Sequence, residues 1–487
     1  MRRPGRTAVA VAAAVAAIAL AAASAYALAN VWTSSTFVVF VGLAAAVVVS
    51  AVAVLRVDPA LILSAGIALS VFSGNWQRLG VPGGIDHVVL TAGILAVLVG
   101  AIRRPDELSV EVRPVHLALA VLSLYAIGSA LWVGTLLDHT SFFALADRLG
   151  LVPFALFVVA PVAFRTERQR LYLLGTLVAL GLYLGVTSLL EVTGPKSLVF
   201  PHYITDPNVG IHANRARGPF VEAGANGLAL FICGVAAAQG MRTFQRRWVQ
   251  QTCGGVLLLC GIGIVLTVTR QVWLAAVAGT VVGLAFAPAL RRYLPLAVAG
   301  LASVALGTLF FVPSVSKKAD ERAGEKSPVW DRLNSDRAAL RMIETRPLLG
   351  FGWGRFQAES TNYYRLAGNY PLTGVQVVHN VFLSNAAELG LLGALLWLGA
   401  MLVVMLRPLL GRAPPELALW RVGLLAVAVA WVVQANFTPL TYAFPNSILW
   451  LWAGVASVGL RPAAVRAEQR PARRELGPRP ALAASRG

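Results

Sequence analysis

Charge is scarce in this 487-residue chain. Asp, Glu, Lys and Arg make up 13% of it and hydrophobic residues 57%, whereas a soluble globular chain carries about 25% charge. Acid is scarcer than base, with 22 Asp and Glu against 41 Lys and Arg. Lysine is nearly absent, standing only at positions 196, 317, 318 and 326. Cysteine is rare too. Cys233, Cys253 and Cys260 all fall inside apolar runs, without a CxxC pair, and their odd number excludes a fully paired disulfide framework. They read as small core residues of packed helices. The chain also lacks a Walker A loop, an HExxH helix, a Gly-x-Ser-x-Gly elbow and any Cys/His cluster of metal-ligand spacing. Asp320, Asp331 and Asp336 are not spaced as a DxD metal site. These absences leave ATP-driven transport and metal-dependent hydrolysis without residues to perform them.

What the chain has in abundance is long apolar runs, recurring from Ala8 to Leu460. Each is near the roughly 20 residues that cross a hydrocarbon core of about 30 Å as a helix. Runs such as Phe37 to Leu55 do not alternate in polarity, which excludes a spanning β-barrel. The expected spans are 8–29, 36–55, 59–74, 84–102, 114–134, 149–164, 171–191, 222–240, 249–268, 271–289, 294–312, 381–406, 417–435 and 445–460. The fold class is therefore all-α, a polytopic transmembrane helix bundle of about 12–14 spans. Its expected divisions are residues 1–312, N-terminal transmembrane helices with a medium outer loop at 192–221; 313–380, a large extracytoplasmic loop; 381–460, C-terminal transmembrane helices; and 461–487, a basic cytoplasmic tail expected to be disordered. Ala22-Ala23-Ser24-Ala25 resembles a signal-peptide cleavage site, but the first run exceeds the usual apolar core of such peptides and reads as an uncleaved first helix.

The net charge of +19 could suggest nucleic acid, but its distribution points to the lipid bilayer instead. Placing the N-terminus in the cytoplasm puts Arg56, Arg103-Arg104, Arg165 to Arg170, Arg242, Arg246, Arg247, Arg291-Arg292, Arg407, Arg412 and the tail arginines all inside. This is the pattern of the positive-inside rule. Residues 75–83, 135–148, 192–221 and 313–380 then lie outside. In the last of these, a helix is expected near Asn334 to Thr345, capped by Asn334 or Ser335 and stopped by Pro347.

The candidate chemistry collects on this outer side. Arg215 and Arg217 offer planar donor forks suited to phosphate and carboxylate oxygens, where the alternative is headgroup snorkelling. Arg270 stands between two apolar runs, either as a functional cation or as the turn of a helical hairpin. His379, followed by Asn380, can act as general base or donate to a phosphate, or simply hydrogen-bond at the interface. Glu388 falls more than two turns deeper, where a carboxyl is costly unless it joins helices together. Arg332, Arg337, Arg341 and Arg346 line the large loop; Arg337 and Arg341 share a helix face, functional or merely solvated. The spans themselves read as nearly free of charge.

Three blocks in this order resemble the O-antigen ligase/polymerase-like membrane family. They are Arg217-Gly-Pro-Phe220 with Asn226; Leu266-Thr-Val-Thr-Arg270; and Arg332 through Met342-Ile343, Pro347-Leu-Leu-Gly350-Phe-Gly352-Trp-Gly354, His379-Asn380 and Glu388-Leu-Gly390-Leu-Leu-Gly393. The resemblance covers about residues 205–405. The family's Pro-Asn pair is missing here, and its Thr-x-Ser-Arg reads Thr-Val-Thr-Arg. The resemblance implies a GT-C-like, metal-independent glycosyltransferase without a cofactor in a bacterial inner (plasma) membrane. Its partners would be an undecaprenyl-diphosphate-linked glycan donor, an acceptor glycan or glycolipid, and envelope-polysaccharide assembly proteins. It implies catalytic roles for Arg217 and Arg270 on the diphosphate, and for His379 as general base or further diphosphate ligand. Arg215, Arg332, Arg337, Arg341, Asn380 and Glu388 are the expected substrate-binding set. A flippase or secondary transporter of lipid-linked intermediates, and a scaffold for cell-wall assembly, are the competing readings.

The orientation is directly testable. A reporter fused after Ala358 should read extracytoplasmic and one fused after Arg104 cytoplasmic; the reverse pattern overturns it.

Overall fold

The computed structural model describes residues 57–81, 84–103, 112–211, 213, 215–287, 290–311, 327–364, 379–411 and 414–459. The first two expected spans, the charged stretch Ser316 to Lys326 and the basic tail lie outside the described residues. Among the described residues there is no strand. Eight helices are long and apolar enough to cross a membrane, and Pro59–Phe72 and Arg270–Ala285 are shorter apolar ones. The chain is a multi-pass, all-α membrane protein.

The principal helices are α1 (Pro59–Leu69), α2 (Ile85–Arg103), α3 (Pro114–Trp132), α4 (Leu151–Ala163), α5 (Glu167–Thr193), α6 (Ala223–Thr243), α7 (Arg247–Leu266), α8 (Arg270–Ala285), α9 (Leu294–Phe311), α10 (Ser327–Thr345), α11 (Val381–Leu410), α12 (Ala418–Ala435) and α13 (Ala443–Ala456). Their starts follow local signals. Thr166 and Gln169 form a capping box at the head of α5, and Asp58 with Pro59 opens α1. Helix α6 packs on α5, α7 and α12, α8 packs on α12, and α4 on α13. The most enclosed helix, α13, is buried at every position. The three cysteines are free and buried in this core.

Two expectations need correction. The helix expected near Asn334 to Thr345 begins at Ser327. Asn334 and Ser335 are interior and buried, and the Ser335 hydroxyl meets the Tyr364 hydroxyl at 3.1 Å instead of capping. The spans are also less free of charge than they read. Asp86, His87, Asp147, Arg148, Glu191 and Glu388 all lie within apolar helices, and each has an ionic partner there. Pairing offsets the cost that would exclude an isolated charge.

Helix α11 is broken. Gly390 has φ 68 and ψ 177 inside it, in backbone territory open to glycine and strained for other residues. The Gly-rich segment after α10 fills the break. Phe351 N donates to Ala387 O at 3.0 Å and Gly352 N to Glu388 O at 2.8 Å, while Leu391 N donates to Pro347 O at 2.7 Å. The Tyr125 hydroxyl donates to Leu389 O at 2.7 Å. Polar groups freed by the break are thus met by the chain itself, as an apolar surrounding demands. Trp353, fully buried, anchors the segment: its indole donates to Ser141 O at 3.1 Å, and its carbonyl accepts from Thr135 at 2.6 Å.

A Cβ on Gly390 would lie 2.1 Å from Leu348 O. Gly390→Ala should therefore lower stability in detergent by at least about 1–3 kcal/mol, read as a fall in Tm. An unchanged Tm would contradict the assigned break.

Candidate functional site

Arg217 is fully buried and ranks among the largest side chains with no exposure. Its Nε and Nη2 donate to Ile204 O at 3.1 and 2.8 Å, its Nη1 to Val209 O at 2.6 Å, and its Nη2 also to Asp206 O. Glu191 Oε1 stands 3.4 Å from its Nε. The other Glu191 oxygen accepts the backbone N–H of both Arg217 and Gly218, each at 3.0 Å. Gly218 turns with φ 53, and a Cβ there would lie 2.4 Å from Asn226 Oδ1. Asn226 Nδ2 donates to Ala216 O at 3.0 Å and to Ser188 Oγ at 3.1 Å. Pro219 O accepts from Asn75 and Tyr203. The Arg-Gly-Pro-Phe block is therefore the clamp of the 199–221 loop, and the loop's own carbonyls take up its guanidinium.

The same loop passes beside the α7–α8 turn. Ala216 N donates to Leu266 O at 3.1 Å, so Arg215, itself buried, sits beside the turn that leads into Arg270. Arg270 is the first residue of α8 and is exposed. Its side chain has no hydrogen bond or ion pair among the described residues. Thr269 provides no side-chain cap, its hydroxyl donating to Thr267 O instead.

The heads of α6 and α11 are closed by comparison. Both carboxyl oxygens of Glu222 cap α6, accepting Gly224 N at 2.8 Å and Ala225 N at 2.6 Å. Asn380 caps α11, accepting Phe382 N at 3.0 Å and Leu383 N at 3.1 Å, and its amide reaches Asn436 Oδ1 at 3.3 Å. Half-buried His379 precedes that cap. Arg332 bridges the two regions. Its Nη2 donates to Gln271 Oε1 at 3.0 Å, Gln271 donates onward to Thr438, and the Arg332 guanidinium lies 6.0 Å from the Phe437 ring centre. Burial pushes the nearby Asp336 carboxyl above its ordinary range, opposed by Arg332.

Arg332 thus reaches the residue after Arg270, Arg215 lies next to the residue that meets the turn before it, and Asn380, preceded by His379, reaches Asn436 beside the Phe437 ring that Arg332 approaches, which together outline one rim. The structure separates three others. Arg341 ties α10 to Tyr363 O at 2.8 Å, and Arg337 is exposed on that helix. Glu388 is buried in an ion pair with Arg148 and accepts Phe356 N at 3.2 Å. Sequence reasoning passed over Arg148, whose guanidinium also lies 4.5 Å over the Trp353 ring and 3.2 Å from Ser384 Oγ. The available sign was an arginine in a stretch expected as a short outer loop, where the charge rule asks for none; the structure puts it inside the apolar helix His139–Ala163. Gln271 and Glu222 were passed over as well; a polar residue directly after Arg270, and an acid just ahead of α6, were the available signs.

Residues 255–398 match the O-antigen ligase family, so the chain carries an O-antigen ligase-like region. That region includes Arg270, Arg332, Arg337, Arg341, His379, Asn380 and Glu388, and begins after Arg215 and Arg217. No curated protein matches the chain.

The Arg217 fork holds the carbonyls of Ile204, Asp206 and Val209 together. Arg217→Lys, which keeps the charge but loses the planar fork, should expose the 199–221 loop to limited proteolysis. A loop as resistant as wild type, combined with weakened donor binding, would instead make Arg217 a ligand.

Proposed function

We propose that this O-antigen ligase-like membrane protein transfers a glycan from an undecaprenyl-diphosphate donor to an acceptor sugar on the outer leaflet, as ligase or polymerase. The carrying observation is the head of α8, uncapped and led by exposed Arg270, whereas Glu222 and Asn380 close the heads of α6 and α11. A guanidinium at a helix N-terminus is disfavoured by the helix dipole by about 0.3–1 kcal/mol. A diphosphate satisfies both the cation and the free N–H groups of the first turn.

In this reading Arg270 holds the diphosphate and stabilises charge on the leaving group. Arg332, steadied by Gln271, and Arg215 flank it. His379 takes the acceptor proton or adds a further donor to the diphosphate. Direct displacement at the sugar carbon gives inversion. Asn380 positions the head of α11, and Arg217 acts by holding the loop that presents Arg215. Arg337 and Arg341 on α10 face the acceptor side. Guanidinium charge does here what a metal ion does in other phosphate sites, so the reaction proceeds without one. The protein sits in the inner membrane with both termini cytoplasmic.

A transporter reading draws on the broken α11, since broken helices line transport sites. The break is filled by residues 347–352 of the same chain, and Glu388 beside it is paired with Arg148, which favours the transferase.

Arg270→Ala should reduce polymer or ligated product by about 100-fold or more, with the protein still inserted in the membrane. His379→Ala should do likewise. Glycan profiling of the variant strains checks this, and full product from both variants would sink the mechanism. In a deletion strain, single retained repeat units indicate a polymerase and accumulated long lipid-linked chains a ligase.

A further inference from the structure

Asp147 and Arg148 are adjacent in sequence, yet they serve different partners. Asp147, buried at 3% exposure, turns to α2, where its Oδ1 lies 3.0 Å from His87 Nε2. Arg148 turns to α11 and pairs with Glu388. His87 is fixed in turn: its Nδ1 lies 3.3 Å from Asp86 Oδ2, and the other Asp86 oxygen accepts the Trp76 indole at 2.8 Å. The Phe143 ring packs edge-on against the imidazole, with centres 5.3 Å apart. The turn carrying both residues is a π-helix, Ala144–Leu149, a geometry frequent at functional sites.

An aspartate next to an arginine in an apolar setting is a strong competitor for that arginine, because buried opposite charges attract far more than exposed ones. Arg148 is what holds Glu388, and Glu388 is what receives Phe356 N behind the Gly-rich segment.

We propose that His87 is a positioning residue that sorts these charges. By engaging Asp147 on α2, it keeps Arg148 free for Glu388 and so keeps the Gly-rich segment seated in the break of α11. The head of α11 carries His379, so this inference bears on the transfer reaction and rests on that reading for its effect on activity; the seating of the segment does not.

The test is a two-residue cycle in the full-length protein in lipid nanodiscs, read by hydrogen exchange at residues 350–357 and by product formation. In His87→Ala, Asp147 draws Arg148 away, and exchange of this segment should speed up about tenfold or more, with product falling in parallel. Asp147→Asn removes the competitor and should exchange as wild type. Adding Asp147→Asn to His87→Ala should restore slow exchange, which simple loss of a packing contact cannot do. Wild-type exchange in His87→Ala, a double variant as open as the single one, or an Asp147→Asn variant that opens by itself would each overturn the proposal. Because exchange is read without substrate, it decides the inference even if the transferase reading fails.

Discussion

Inside an apolar bundle every backbone polar group must find a partner, and the break at Gly390 makes that demand where helix α11 cannot meet it. Much of the architecture around the rim answers this one requirement. The segment from Pro347 to Gly352 supplies amides to Ala387 and Glu388 and a carbonyl to Leu391, and Tyr125 supplies a hydroxyl to Leu389. Trp353 wedges the segment against Ser129, Thr135 and Ser141. Arg148 and Glu388 close it from the side. Leaving one such buried group unpaired costs about 1–3 kcal/mol, so the segment and the break stabilise each other. The result is a fixed platform that carries His379 and Asn380 at one edge of the site.

The opposite edge is built by a different device. Arg217 is folded inward, and the loop carbonyls of Ile204, Asp206 and Val209 converge on it while Glu191 gathers the backbone of the turn. The loop buries a small apolar cluster of Val199, Tyr203, Ile204, Val209 and Val221, and a guanidinium with several donors in one plane organises many acceptors at once. Between the two edges stands the head of α8, uncapped and cationic. Preorganised donors of this kind favour charge that develops during reaction, because they need not rearrange when it appears.

The helices were legible in the sequence because their signal is length and apolarity. The expected spans 114–134, 171–191 and 249–268 fall on helices Pro114–Trp132, Glu167–Thr193 and Arg247–Leu266. In the sequence Asn334 and Ser335 look like caps, which shortens the expected helix; the start of α10 at Ser327 and the contact of Ser335 with Tyr364 make them interior. Arg270 stands out in the sequence as a charge between two apolar runs, and the structure leaves it exposed at the turn that opens α8. The sequence expects Arg217 at the diphosphate, but it cannot say whether a guanidinium points outward or into the carbonyls of its own loop, where this one lies. Glu388 needed Arg148, 240 residues away in sequence, and no local pattern announces such a partner. Composition likewise understated the buried charge, because pairing between helices is invisible in a residue count.

The central claim is that a cationic rim led by Arg270 moves a glycan off a lipid diphosphate. Its most direct test uses the purified protein in nanodiscs with a synthetic undecaprenyl-diphosphate-linked oligosaccharide, an acceptor glycan and a metal chelator. The account predicts a joined glycan together with stoichiometric undecaprenyl diphosphate, both lost in Arg270→Ala. Movement of the intact lipid-linked donor between leaflets with no joined glycan, or transfer that proceeds undiminished in Arg270→Ala, would contradict it.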